Sequence, residues 1–117
     1  MEINFHCEGI PKELPKTIAL CLYRVLQEAL KNATEHSGSR LCEVTLRRES
    51  NELQLSVRDW GVGFDPAAAM KGPGLGLLSM KERLKLFDGE LFIESQPQQG
   101  TTVRARVPLA SKFWPNR

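Results

Sequence analysis

Several things are scarce in this 117-residue chain, and each scarcity removes a class of function. The three cysteines, Cys7, Cys21 and Cys42, are an odd number without a CxxC pair. That argues against a disulfide framework and a tetrahedral zinc site and favours reduced, buried thiols. Neither sign of charge dominates: the net charge is +2, and Arg47, Arg48, Lys81, Arg83 and Lys85 are interspersed with Glu49, Glu52, Glu82 and Asp88. No basic face for nucleic acid emerges. No apolar run is long enough to cross a bilayer, and Met1–Cys7 lacks a basic segment followed by an apolar one. No membrane insertion is expected, and the chain reads as cytoplasmic. Repeats, low-complexity tracts and linkers are absent too, so one domain is expected over residues 1–110, near the borders of its fold, with a tail at 111–117.

The remaining pattern is that of a mixed fold. Ile3–Cys7 alternates like a short strand ahead of Gly9 and Pro11. From Glu13 to His36, apolar residues from Leu14 to Ala33 recur three and four apart, which predicts a long helix with Pro15 in its first turn and Gly38 closing it. Leu41–Arg48 and Leu53–Val57 read as a hairpin, with Asp59 directly after it. Glycine and proline crowd 61–76, and an amphipathic helix follows over Leu75–Phe87, ended by Asp88-Gly89. Leu91–Ile93 and Thr102–Val107 form a last hairpin. Strand, helix, two strands, helix, two strands predict a two-layer α/β sandwich with a mainly antiparallel sheet and helices on one face.

Three clusters carry chemistry. Glu28 and Asn32, four apart, share a helix face; that spacing alone equally describes a solvated flank. Their functional use would be oxygen donation to Mg²⁺, which keeps waters and leans on substrate phosphates, so one amide oxygen suffices. In Asp59-Trp-Gly-Val-Gly63 the carboxylate is suited to accept from the amino group of a planar base, and glycines let backbone approach the ring. An Asp in an ordinary turn looks the same locally. Gly74-Leu-Gly-Leu77 opens a helix with free N–H groups and the positive end of its dipole, which suits phosphate oxygens. It fits neither the P-loop nor the dinucleotide fingerprint.

In order along the chain, these clusters resemble the motifs of the ATPase superfamily that includes DNA gyrase and the histidine kinases. Gln27-Glu-Ala-Leu-Lys-Asn32, Gly76-Leu-Leu-Ser-Met-Lys-Glu-Arg-Leu84 and Gly100-Thr-Thr-Val-Arg-Ala-Arg-Val-Pro108 are similar to the nitrate/nitrite-sensor and DesK-like sensor kinases. The resemblance implies a Bergerat-type sandwich binding ATP and Mg²⁺. By it Asn32 holds Mg²⁺ and phosphate with Glu28 assisting, and these two are the expected catalytic residues. Asp59 reads the adenine amine, Gly61 and Gly63 border the base, and His36 is a pocket candidate. Gly74, Leu75, Gly76 and Leu77 hold the phosphates, Phe64–Pro73 forms the lid, and Thr102 supports the adenine end. Two departures stand out: Glu35 occupies a position that is usually basic, and Ser37-Gly-Ser replaces a small apolar residue.

The implied reaction is phosphoryl transfer to a histidine. Neither His6 nor His36 resembles the family's acceptor motif, so the acceptor is expected on the dimerisation and phosphotransfer domain of the same kinase, which then serves a response regulator. Two other readings remain: an anti-sigma-factor-like serine kinase, against which Met80-Lys-Glu-Arg83 argues, and a non-catalytic nucleotide-binding module.

Overall fold

The computed structural model describes residues 1–36, 38–65 and 76–109. The elements run β1 (Glu2–Glu8), α1 (Lys16–Glu35), β2 (Leu41–Glu49), β3 (Glu52–Asp59), α2 (Leu77–Lys85), β4 (Glu90–Ser95) and β5 (Thr101–Pro108). The strands form one sheet in the order β1-β2-β3-β5-β4. β1 runs parallel to β2, and the other neighbours are antiparallel. A parallel pair needs a crossover, and α1 supplies it.

Alternation along the strands separates two faces. Cys42 and Val44 of β2, Leu53, Leu55 and Val57 of β3, and Val103, Ala105 and Val107 of β5 are buried beneath the helices. The apolar stripe of α1 meets them with Ile18, Leu22, Val25, Ala29 and Ala33, and α2 adds Leu77, Met80 and Leu84. The opposite face is polar, as an antiparallel sheet open to water on one side requires. There Arg104 pairs with Glu94 at 3.2 Å, and Arg106 pairs with Glu52 at 3.4 Å and with Glu90. Exposed pairs of this kind add little stability; their use is to keep that face solvated.

The expected sandwich is present, with shifted boundaries. α1 begins at Lys16, and Pro15 is its N-cap, with an extended backbone and a carbonyl that accepts the Ala19 N–H at 3.0 Å. At its other end Gly38 takes φ +67°, and the Ser39 N–H reaches the Ala33 carbonyl at 3.2 Å. Asp59 is the last residue of β3 rather than the first after it, and β5 begins one residue before Thr102. Among the described residues no helix is long and apolar enough to cross a membrane. The tail expected at 111–117 and most of the expected lid lie outside the described residues.

The thiols differ sharply. Cys7 is exposed on β1, whereas Cys21 and Cys42 are buried. Burial pushes both buried thiols up; for Cys42 the neighbouring Asp59 and Glu43 carboxylates add to it, taking it to about 11. Since the thiolate is the nucleophile, a thiol reagent at pH 8 is expected to modify Cys7 quickly and the other two only as the domain unfolds. A second thiol reacting as fast as Cys7 in the native domain would contradict this burial. The linkage has a definite sign: a raised thiol pKa favours the folded state up to about pH 9, the unperturbed value, and that contribution is lost as pH rises through about 11.

Candidate functional site

The register of the sheet builds the site. Cys42, Asp59, Thr101 and Ser95 form one row across four strands, on the helix side. The next row is Val44, Val57, Val103 and Ile93. A cavity of about 70 Å³ opens where these rows meet α1, with Val57, Val103, Ala29 and Phe64 as its apolar lining. Its polar lining is Asn32, His36, Asp59 and Thr101, with Gly63 at the rim. The composition is that of a small-molecule site: apolar walls and a few convergent polar groups.

Burying a polar side chain costs free energy, so where such groups collect is informative. Among the described residues four polar side chains are buried, Asn32, Ser39, Asp59 and Thr101. Three of them line the cavity. The fourth, Ser39, braces its loop: its Oγ accepts the Trp60 N–H at 3.0 Å and donates to the Leu41 carbonyl at 2.7 Å.

The loop after β3 is fixed at each step. Asp59 Oδ1 accepts the Gly61 N–H at 2.9 Å, an Asx-type turn that holds the carboxylate in place. A carboxylate has about four acceptor sites, so this bond leaves capacity for a ligand. The Phe64 N–H donates to Ser95 Oγ at 2.8 Å, and the Val62 carbonyl accepts from the Gln98 N–H. Gly63 has φ +68°, and a Cβ there would overlap the Gln96 carbonyl; at Gly100, φ +78°, a Cβ would overlap the Asp59 carbonyl. The loop after β3 and the β4–β5 turn are therefore in backbone contact, which only glycine permits.

The structure brings Asn32, His36, Asp59 and Gly63 together around one cavity. Gly61 contributes through its bond to Asp59. Thr102 lies on the opposite face of the sheet, beside Arg58 and Arg104, and Thr101 is the threonine that lines the cavity. Glu28 also stands apart. It lines a separate groove between α1 and α2 with Arg24, Gln27, Ser79 and Arg83, and its carboxylate abuts Gly76, where a Cβ would come within 2.6 Å of it. Leu77 is 1% exposed with its side chain in the core, so only its backbone is available to a phosphate. Gly76 is the N-cap of α2 at φ +65°, with no side-chain cap bond, which leaves first-turn N–H groups for an anion. Gly74 and Leu75 lie outside the described residues.

Sequence reasoning left Ala29, Val57, Thr101 and Val103 out of the site and gave Phe64 only as the start of the expected lid. For all but Phe64 a signal existed: Val57, Thr101 and Val103 are in phase with Asp59 across the strands, and Ala29 belongs to the α1 stripe.

An α/β sandwich with an apolar cavity, a buried aspartate at a strand end and a helix N-terminus nearby defines a class of nucleotide-binding ATPases. Residues 17–111 match the family described as histidine kinase-, DNA gyrase B- and HSP90-like ATPase, and the chain belongs to it. The curated relatives it resembles are named as sensor histidine kinases. It is 38% identical over 109 residues to the oxygen sensor histidine kinase NreB of Staphylococcus carnosus, spanning 93% of this chain and 31% of that one. It is likewise 38% identical to the sensor histidine kinase LnrJ of Bacillus subtilis, over 95% of this chain and 27% of the relative. The chain thus spans less than a third of these two curated relatives.

Among solved structures, the histidine kinase domain of the Erythrobacter litoralis EL346 blue-light activated kinase superposes with a TM-score of 0.76 at 21% identity, covering 92% of this chain and 55% of that one. Full-length ShkA in complex with AMPPNP gives 0.74 at 22% identity, over 92% of this chain and 25% of that one.

Proposed function

We propose that the cavity seats the adenine of Mg-ATP and that the chain donates the γ-phosphoryl group to a histidine on a separate dimerisation domain of the same kinase. A response regulator then takes the group from that histidine. The observation that carries the reading is the gathering of three of the four buried polar side chains of the described residues around one apolar void. Asp59 accepts from the adenine amine, Thr101 faces the same end, and Val57, Val103 and Ala29 cover the ring.

Phosphates would extend toward Asn32 and the start of α2, where backbone N–H groups neutralise charge. Mg²⁺ fits a site of this kind. Among the described residues no group of three His, Cys, Asp or Glu side chains gathers, and Mg²⁺ held mainly by phosphates and water needs only a hard oxygen such as that of Asn32. When bound it would supply charge neutralisation at the phosphates. Glu28, in contact with Gly76, is placed to set the start of α2 and reaches the metal only from its neighbouring groove.

In the transfer the acceptor imidazole nitrogen attacks the γ-phosphorus, the β–γ bridging P–O bond breaks, and ADP leaves. The imidazole proton passes to a base on the acceptor domain. His36 lines the cavity at the end of α1 and His6 lies on exposed β1; neither is part of the helical hairpin on which the resemblance places the acceptor. This use of ATP places the domain on the cytoplasmic side.

With radiolabelled Mg-ATP the chain alone is expected to bind nucleotide without acquiring label, and to label an added dimerisation domain from its own kinase. Label on the isolated chain would overturn the proposal. Asn32→Ala is expected to weaken binding about tenfold or more in Mg²⁺ and much less in EDTA; equal losses in the two would remove Asn32 from the metal site.

A further inference from the structure

Ser95 is not part of the cavity wall, yet three contacts converge on its hydroxyl. It accepts the Phe64 N–H at 2.8 Å, reaches the Gly100 carbonyl at 3.1 Å, and lies 2.8 Å from Thr101 Oγ1. A serine hydroxyl has one proton and two lone pairs. The carbonyl can only accept, so the Ser95 proton goes to Gly100. The amide can only donate, so it takes one lone pair. The second lone pair is left for Thr101, whose own proton must then point at Ser95. Reversing the Ser95–Thr101 bond would forfeit the Gly100 contact, so one proton arrangement alone makes all three.

The consequence reaches the cavity. With its proton committed to Ser95, Thr101 presents only lone pairs there, beside the Asp59 carboxylate, which also only accepts. The N–H groups of Trp60, Gly61 and Phe64 beside it are already donated to Ser39, Asp59 and Ser95. The corner of the cavity formed by Asp59 and Thr101 is therefore a wall of acceptors.

We infer that Ser95 is a base-selectivity residue acting through Thr101: by fixing the direction of the Thr101 hydroxyl it admits a 6-amino purine and rejects a 6-oxo purine. An amine, or a water held by the base, donates to the wall; a carbonyl meets acceptors. Ser95 touches no substrate and is a positioning residue. The inference rests on the adenine reading of the cavity and adds to it the residue that enforces the choice.

The test compares ATP with inosine triphosphate, which carries a carbonyl at position 6, by calorimetry. The unsubstituted domain is expected to prefer ATP by about 100-fold, the order set by an unmatched buried polar group. In Ser95→Ala the Thr101 proton is released to donate inward, and the preference is expected to fall about tenfold. Ser95→Thr, which keeps the hydroxyl, retains the preference. Thr101→Val also lowers it, and adding Ser95→Ala to Thr101→Val changes it no further.

If Ser95→Ala weakens both nucleotides alike, Ser95 is only structural and the inference is overturned. A shift that persists in the Thr101→Val background overturns the route through Thr101. Should Ser95→Ala fail to fold, an unchanged preference in Thr101→Val alone overturns it. An unsubstituted domain with no preference for ATP points instead to a fault in the adenine reading.

Discussion

Asp59→Asn is expected to abolish measurable ATP binding in a domain that still folds. The two isosteric side chains differ in what they offer. The carboxamide oxygen of Asn can keep the bond from the Gly61 N–H that Asp59 Oδ1 now holds at 2.9 Å. Its NH₂ group is then turned toward the base, donor against the donor amine. A buried group left facing the wrong partner costs about 1–3 kcal/mol, and losing the acceptor as well puts the expected drop in affinity at about 100-fold or more. Stability is spared because Asp59 is 7% exposed, and the neutral amide is cheaper to bury than a carboxylate. Calorimetry and a thermal melt on the same sample separate the two effects. Retained affinity, with the fold intact, would remove Asp59 from the base site.

Gly63→Ala is expected to cost the most stability. Gly63 and Gly38 have nearly the same backbone, φ +68° and φ +67°, so an added methyl meets a similar left-handed penalty at both, about 1–2 kcal/mol. Their surroundings differ: at Gly38 nothing lies within 4 Å of the added carbon, whereas at Gly63 it overlaps the Gln96 carbonyl. Backbone on both sides cannot yield as a flexible side chain would. Gly63→Ala should therefore lose about 3 kcal/mol or more, an exceptional value for one methyl, and lower Tm by about 10 °C or more. Gly38→Ala should lose only the left-handed term. Urea unfolding of the pair tests the close approach itself, and equal losses would contradict it. Gly63→Ala should also weaken nucleotide binding, since the loop it distorts carries Asp59.

Sequence legibility followed the range of the forces involved. The α1 stripe was readable from Leu14 to Ala33 because a helix that buries one face must repeat every three or four residues. The alternation of β3 and β5 was readable for the same reason at period two. Thr101 was missed: Thr102 was named through the resemblance, whereas Val103, Ala105 and Val107 fix the phase that places Thr101 with Asp59 on the inner face.

Glu28 shows the limit of spacing. Residues four apart on a helix differ by about 40° in direction, and that is enough to turn Asn32 to the cavity and Glu28 to the groove beside α2. The parallel pairing of β1 with β2 and the convergence on Ser95 left no local trace, since both arise from residues brought together only by the fold.

The central claim is that the base is held on the helix side of the sheet, between α1 and the row of Asp59, Thr101 and Ser95. Titrating AMPPNP with Mg²⁺ into the ¹⁵N-labelled domain tests it most directly. The account predicts saturable shifts largest at the amides of Asn32, Asp59, Gly61, Gly63 and Thr101, with Arg104 and Arg106 on the outer face unmoved. Shifts centred on Arg58, Arg104 and Arg106, or none at saturating nucleotide, would contradict it.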